Sequence, residues 1–374
     1  MQTLHVYHTY TPEMGGANTA IRHFLAALTG DGFRSRLIAF NARPETVPQG
    51  YDVIAVPSSR GPLGSRYHAP LRGSCDGLER YVARADVVFV HLLYRFHAAW
   101  AAETAAHFGK PLVVVPHGGL DPYCFTYRAA LKRIWLRHYR RALVDRSTFL
   151  FATEREKEKA SSVIGPLRAA QFSWPCALPE RRNGRLAAPN GARRRLLFAG
   201  RLHPMKRVLE TVRSILRAGI EMELILVGSE SEQVSIDELR RQAGSEWGDR
   251  VVYYPACDPR NLTRFYDNAD ALVLFSHREN FGYVVAEAMA HGLPVFLSEG
   301  VDLAPIVEAQ GCGRAFDIGG ETDIDQALRH IAALDAATLR TMGANGAEAA
   351  RRLFSWPAFV ANTRLLAEEL AGRN

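Results

Sequence analysis

The chain has 374 residues, 47% of them hydrophobic and 23% charged, the composition of a water-soluble globular protein and a length better served by two domains than by one core. No apolar run reaches the about 18 residues that a membrane-spanning helix needs. The five cysteines, Cys75, Cys124, Cys176, Cys257 and Cys312, are scattered without a C-x-x-C pair, which argues against a zinc site or disulfide framework and for a reducing, cytoplasmic compartment.

The net charge of +7 is unevenly placed: residues 1–180 hold 22 Lys and Arg against 14 Asp and Glu, and residues 181–374 hold 24 against 25. The first half is therefore expected to meet an anionic partner, whether membrane surface, diphosphate lipid or nucleic acid. Residues 1–3 run straight into a strand at 4–7, without the charged lead of a secretory signal. An amphipathic helix follows from about residue 19 to 28, with Gly15 and Gly16 at the junction. Glycines there let backbone amides approach a phosphate or sugar, but they also make ordinary tight turns, and G-x-G-x-x-G is absent. Strands are expected at 36–40, 51–56, 85–90, 112–115 and 148–152, alternating with helical pieces as in a parallel sheet.

His91 and His117 each follow a strand, at the carboxyl edge where open α/β sheets place ligands. A histidine in that position is either a structural hydrogen-bonder or a site residue. Residues 60–76, rich in Gly, Pro, Ser and Arg, read as an exposed loop. The stretch 128–146 carries Arg128, Lys132, Arg133, Arg137, Arg140, Arg141 and Arg146 against Asp145, with Leu131, Ile134, Trp135, Tyr139 and Ala142 at helical spacing. Such a basic amphipathic helix either lies on an anionic membrane or turns a solvated face outward over the core. Thr153 and Glu156 form the capping box of a further helix, whose alternating charges predict a solvated surface. Residues 179–192 break every periodicity and read as an interdomain linker.

The second half restarts with a strand at 196–199, followed by Gly200, Arg201, Lys206 and Arg207 ahead of a helix. Arg201 and Lys206 are either two surface bases or two cations placed to hold a diphosphate. Strands at 223–227 and 251–254 and a helix at 261–270 come next. Asp323 and Asp325 form a D-x-D, but they open a helix after Gly319 and Gly320, so capping and the helix dipole account for them. No other metal-ligand spacing occurs, and no metal is expected.

Residues 276–295 organise the chain. An apolar strand at 271–275 and another at 294–297 flank a short helix at 283–291 that is apolar on nearly every face, closed by Gly292. Its one carboxylate, Glu287, must find hydrogen-bond donors or be neutralised. It pairs either with a ligand or with an arginine of the core. Eight residues earlier, Glu279 lies at the carboxyl end of the strand, and the amides of Asn280, Phe281 and Gly282 are free to face an anion or a sugar hydroxyl. Glu279 also completes a capping box with Ser276.

The pair Glu279-x7-Glu287, within E-N-F-G-Y-V-V-A-E-A-M-A-H-G-L-P-V, resembles the signature of the retaining glycosyltransferases of family 4. That resemblance implies an α/β protein of the GT-B fold: two Rossmann-like domains facing across a cleft, with the last helix crossing back onto the first domain. The expected divisions are 1–178, the linker, 193–355 and a helix over 356–374. The resemblance implies that Glu279 lies against the donor sugar, that the Asn280, Phe281 and Gly282 amides meet sugar and diphosphate, and that Glu287 binds the ribose. The segment from Pro116 through His117 to Gly118 is similar to the family's P-H-G, whose histidine contacts the donor sugar, and G-R-x-x-x-x-K at Gly200, Arg201 and Lys206 looks like its diphosphate clamp. Gly15 and Gly16 would line the cleft, and the loop after Tyr254 would take the nucleobase. Two departures stand out: Phe172-Ser-Trp-Pro-Cys176 replaces an N-G-V-D-like turn, and Arg207 stands where a glycine is usual.

The expected activity is transfer of a hexose from a nucleotide diphosphate sugar to a saccharide acceptor, with retention and without an obligatory metal or cofactor. The basic first half adds a polyprenyl-diphosphate acceptor, polysaccharide assembly and peripheral contact with the inner face of the cytoplasmic membrane to that expectation. Nucleotide-sugar 2-epimerases share the fold, but the spacing of the two glutamates argues against them. A non-catalytic nucleotide-sugar-binding or membrane scaffold module would require a damaged site, and none of the named polar positions is missing. Nucleic-acid binding has charge alone and no motif.

Overall fold

The computed structural model of the chain describes residues 1–9, 17–40, 52–58, 69–71, 73–176, 178–179, 193–217, 219, 221–257 and 259–372. Gly15, Gly16, nearly all of the expected linker and most of the 60–76 loop lie outside the described residues. The chain divides into two compact units, Met1–Pro175 with Trp356–Asn374, and Cys176–Ser355.

The first unit is built on a parallel sheet of β1 (Gln2–Tyr7), β2 (Arg34–Phe40), β3 (Asp52–Val56), β4 (Val87–His91), β5 (Leu112–Val115), β6 (Thr148–Phe151) and β7 (Ala169–Gln171), in the order β3-β2-β1-β4-β5-β6-β7. β4, β5 and β6 are buried along their whole length, as runs such as Val87-Val-Phe-Val and Leu112-Val-Val-Val require. Strand alternation divides their side chains between two layers. Leu4, Val6, Val88 and Val90 join a core shared with Ala98, Ala101, Ala102 and Ala105 of the helix Phe96–His107. On the other face, His5, Phe89 and His91 meet Phe24 of the helix Ala17–Gly30, and Phe24 in turn packs edge-on against Phe359 at 4.6 Å. Phe359 belongs to the final helix, Trp356–Ala371, which Arg364 also fastens to Asp31 at 2.5 Å.

The second unit repeats the plan with β8 (Arg194–Ala199), β9 (Met222–Gly228), β10 (Val251–Pro255), β11 (Ala271–Leu274), β12 (Val295–Ser298) and β13 (Gly313–Phe316), in the order β10-β9-β8-β11-β12-β13. Counted within the unit this is 3-2-1-4-5-6, the Rossmann order, and the first six strands of the other sheet follow it too. Two Rossmann-like units are thus present. β7 and β13 are missing from the sequence reading because Ala169-Ala-Gln and Gly313-Arg-Ala-Phe are too short and too weakly β-branched to signal a strand.

Three local expectations change. The basic stretch is a helix only over Ala129–Tyr139; at Arg140–Val144 it widens into a π-turn closed by Asp145 N–H on the Arg140 carbonyl, with Leu143 and Val144 both in the core. Trp135 and Tyr139 pack inward, but Leu131 and Ile134 are each 64% exposed. Glu156 is buried rather than solvated. Thr153 caps its helix as expected, while the Glu156 carboxylate turns away to other backbone amides.

Candidate active site

A ligand crevice in this topology lies at the carboxyl ends of the two strands where the order reverses, which in the second unit are β8 and β11. The loop after β8 carries Gly200, Arg201 and Lys206, and the loop after β11 carries Glu279. The structure joins these loops twice. His277 N–H donates to the Met205 carbonyl at 2.8 Å, and Lys206 Nζ forms an ion pair with Glu279 Oε2. Gly228, ending β9, lets the turn close: a Cβ there would stand 1.8 Å from the Gly200 carbonyl oxygen. Glu279 is further held by its own backbone, donating to Gly300 and accepting from Asp302 at 3.0 Å each. The expected Ser276 capping box is not formed, because the Glu279 carboxylate is engaged by Lys206 and the following helix starts instead from Gly282. Gly282 has φ 76°, left-handed backbone that suits glycine, and its open side faces the Glu279 Cγ. Among the described residues the amides of Asn280, Phe281 and Gly282 make no hydrogen bond, and Arg201, exposed, makes no ion pair. The Phe281 ring is core, packed on Tyr283 and Phe354, so only its amide is available to a ligand.

Glu287 lies on the helix Tyr283–Ala290, whose Val285, Ala286, Ala288, Met289 and Ala290 are buried. Among the described residues its partner is not an arginine but Tyr266, whose hydroxyl donates to Oε2 at 2.7 Å. Burial raises the Glu287 carboxyl above the usual range, and the Tyr266 hydrogen bond partly offsets this. The Tyr266 hydroxyl is pushed well up by its own burial and by that carboxylate, so it stays a donor. One carboxylate oxygen is thereby fixed, which orients the group toward whatever engages the other.

In the first unit His117 sits just after β5, with φ 49°. Its turn is tied down from behind: Gly118 N–H donates to Glu156 Oε1 at 2.7 Å and Ala152 N–H to Oε2 at 2.9 Å. The His117 ring stacks on His91 at 5.3 Å and lies 5.7 Å from Trp174, the tryptophan of the segment that departs from the family pattern. Some of its surface is open, yet enough protein surrounds it that desolvation lowers its pKa to about 3, leaving a neutral imidazole.

The family description "Glycosyl transferases group 1" matches residues 185–349, and "Glycosyl transferase 4-like domain" matches residues 15–172. The chain belongs to the GT-B glycosyltransferases of family 4. Among curated relatives, the glycosyltransferase is 26% identical over 322 residues to the GDP-mannose:cellobiosyl-diphosphopolyprenol alpha-mannosyltransferase of Xanthomonas campestris, covering 82% of this chain and 80% of that one. It is 32% identical over 165 residues to the D-inositol 3-phosphate glycosyltransferase of Xylanimonas cellulosilytica, covering 43% and 39%. In fold it matches sucrose-phosphate synthase from Thermosynechococcus elongatus with a TM-score of 0.75 at 19% identity, over 100% of both chains. Anabaena HepE in complex with UDP and glucose matches with a TM-score of 0.75 at 18% identity, again over 100% of both.

Several residues that contact these candidate positions escape sequence reasoning. Tyr266 lies 21 residues before Glu287 and carries no local signal. Arg207, noticed only as a departure, occupies left-handed backbone at φ 51°, is buried, and donates from Nη2 to His277 Nδ1 at 2.9 Å. A side chain in that conformation is strained by about 1–3 kcal/mol, and the guanidinium's hold on the Glu279 loop through His277 is what the structure sets against that strain. Asp323 and Asp325 diverge: the first accepts from the Gly319 and Gly320 amides, and the second pairs with Arg217.

Proposed function

We propose that this glycosyltransferase moves a hexose, with retention and without an obligatory metal, from a nucleotide diphosphate sugar to a lipid-diphosphate-linked saccharide in polysaccharide assembly. The observation that carries the reading is the Lys206–Glu279 ion pair at the strand-order reversal, with the Tyr266-oriented Glu287 on the next helix. As the sugar departs, negative charge grows on the diphosphate and positive charge on the sugar ring. Arg201 and Lys206 offset the first, and Glu279 the second. Amides of Asn280, Phe281 and Gly282 hold sugar and diphosphate oxygens, Glu287 takes the ribose hydroxyls, and His117 hydrogen-bonds the sugar. Gly15 and Gly16, which lie outside the described residues, enter this proposal by resemblance alone. HepE with UDP and glucose supports a nucleotide-sugar donor, and the Xanthomonas relative supports a diphosphopolyprenol acceptor.

Membrane contact belongs to the same proposal. Among the described residues no helix is long and apolar enough to cross a membrane. The helix Ala129–Tyr139 instead sets exposed Leu131 and Ile134, with Tyr127 at 63% exposure beside them, among Arg128, Arg133, Arg137 and Arg141. Apolar anchors ringed by cations suit the inner face of an anionic membrane.

The test is a thermal-shift panel of GDP-, UDP-, ADP- and TDP-sugars in EDTA, repeated on Glu287→Ala and Lys206→Ala. One nucleotide class should raise the melting temperature of the parent and not of the variants. A shift that survives both substitutions overturns the assigned donor site; a shift that requires divalent metal overturns the metal-free reading. Product stereochemistry by NMR then decides retention.

A further inference from the structure

Behind His117 runs a row of buried histidines. His91 Nδ1 lies 3.0 Å from His117 Nε2, and His5 Nδ1 lies 3.0 Å from His91 Nε2. The strands explain the row: His5 on β1 and His91 on β4 point to the same face of adjacent strands at the order reversal, and His117 leaves β5 next door. Phe89 stacks on His5 at 4.8 Å, and Phe24 closes over both His5 and His91. His91 and His5 are fully buried. Desolvation lowers His5 to about 3 and His91 well below its ordinary value, the other histidines adding to the latter effect.

A neutral imidazole has one N–H and one lone pair, so three of them in a row must all point the same way. If the row runs outward, His5 Nδ1–H donates to His91 Nε2 and His91 Nδ1–H donates to His117 Nε2. The proton of His117 is then on Nδ1, which has no hydrogen-bond partner among the described residues. If the row runs inward, His117 presents a bare lone pair and His5 must bury an N–H at Nε2. That atom has no protein partner among the described residues. Buried N–H groups without an acceptor are rarer in proteins than under-used acceptors, which decides the direction.

We infer that His5 and His91 are positioning residues that fix His117 in the Nδ1–H tautomer, so that the row presents a hydrogen-bond donor at the carboxyl edge of the first sheet. Resting on the proposed sugar contact of His117, the row assigns it a chemistry: it donates to an oxygen of the donor sugar. Aligned imidazoles polarise one another, so the terminal N–H is a stronger donor than a lone histidine. The neighbouring titratable and charged groups are His97, whose Nε2–H donates to the His91 carbonyl at 2.8 Å, together with His8, Tyr7 and Arg95.

Long-range proton–nitrogen NMR of the full-length protein, labelled at histidine, reads the tautomers directly. His5, His91 and His117 should carry their proton on Nδ1 between pH 6.5 and 8, and His97 on Nε2 serves as the internal control. A proton on Nε2 of His117, or a charged ring, overturns the inference. Two variants separate positioning from packing: His5→Asn keeps an N–H where Nδ1 stood, and His5→Leu removes it. His5→Leu should lower kcat for release of nucleoside diphosphate from GDP-mannose or UDP-glucose about tenfold with little change in donor KM, the cost of one oriented hydrogen bond, and His5→Asn should restore it. Equal kcat in both variants overturns the positioning role. If His117→Ala leaves kcat unchanged while the tautomers are as stated, the sugar contact is what falls, and the direction of the row stands.

Discussion

The two sheets share a strand order, and each reversal point carries polar side chains, but the two are equipped differently. In the second unit the ionisable groups keep part of their surface open: Lys206 pairs with Glu279, and Glu287 accepts from the buried, neutral Tyr266 hydroxyl. In the first they are neutral rings packed between aromatics, with a buried carboxylate, Glu156, spent on backbone amides. Topology decides only where the loops emerge. The depth of each side chain and the donors it meets then decide its chemistry: a carboxylate is kept where water or backbone amides reach it, and the buried histidines hydrogen-bond as neutral groups.

If that contrast is functional, the largest loss should come from removing charge in the second unit. Lys206→Ala should lower kcat by about 10²–10³-fold, the usual cost of one group aimed at developing charge. It also frees Glu279, so Glu279→Gln in the same background should cost less than it does alone. A full kcat series on the two single variants and the double variant checks this; strict multiplicativity would break the pairing.

Glu287 should separate binding from stability. Its folded pKa is raised, so above the ordinary carboxylate range the fold bears the cost of a half-buried charge, and below that range it does not. Glu287→Gln should therefore raise Tm at pH 7 and change it little at pH 4. It should also weaken donor binding about 10–100-fold, the range for a hydrogen bond to a charged group. A destabilised Gln variant at pH 7 would show that the carboxylate is better solvated than its surroundings indicate.

The first unit should respond to pH in the opposite sense. His5 and His117 are lowered from 6.5 to about 3, so the unfolded chain takes up their protons first. Their contribution to stability is present above pH 6.5 and is lost as pH falls from 6.5 toward 3, at up to about 1.4 kcal/mol per pH unit for each histidine. Chemical denaturation from pH 7 to 5 should show that slope, and His117→Gln should make it shallower. A flat profile would mean that the row accepts a proton in the fold.

What was legible in the sequence follows the range of the interactions. Strands β4, β5, β11 and β12 and the helix Tyr283–Ala290 are announced by local apolar runs, and Glu279 with Glu287 by spacing along one segment. His117 is marked by its place just after a strand and by the P-H-G segment that resembles the family's. The groups that set their chemistry are not local. Tyr266 reaches Glu287 across 21 positions, Arg207 reaches His277 across 70, and His5 reaches His91 across 86. Strand order alone brings the last pair together, and a histidine inside an apolar strand looks like a defect until its neighbour across the sheet is known.

The smallest effect on folding should come from the surface that the charge count pointed to. Leu131 and Ile134 are each 64% exposed, so changing both to Ser removes little buried apolar area, and each substitution should move stability by no more than about 0.5 kcal/mol. The tryptophan and tyrosine of the same helix, Trp135 and Tyr139, face the core and remain. Sedimentation with vesicles of phosphatidylglycerol and phosphatidylethanolamine should nonetheless show weaker binding by the double variant at every salt concentration, because the lost contact is apolar. Arg137→Glu with Arg141→Glu should instead abolish binding at low salt, where cation attraction dominates. Serine variants that bind as the parent does would reduce the surface to electrostatics alone, and would leave the exposure of Leu131 and Ile134 without a role at the membrane.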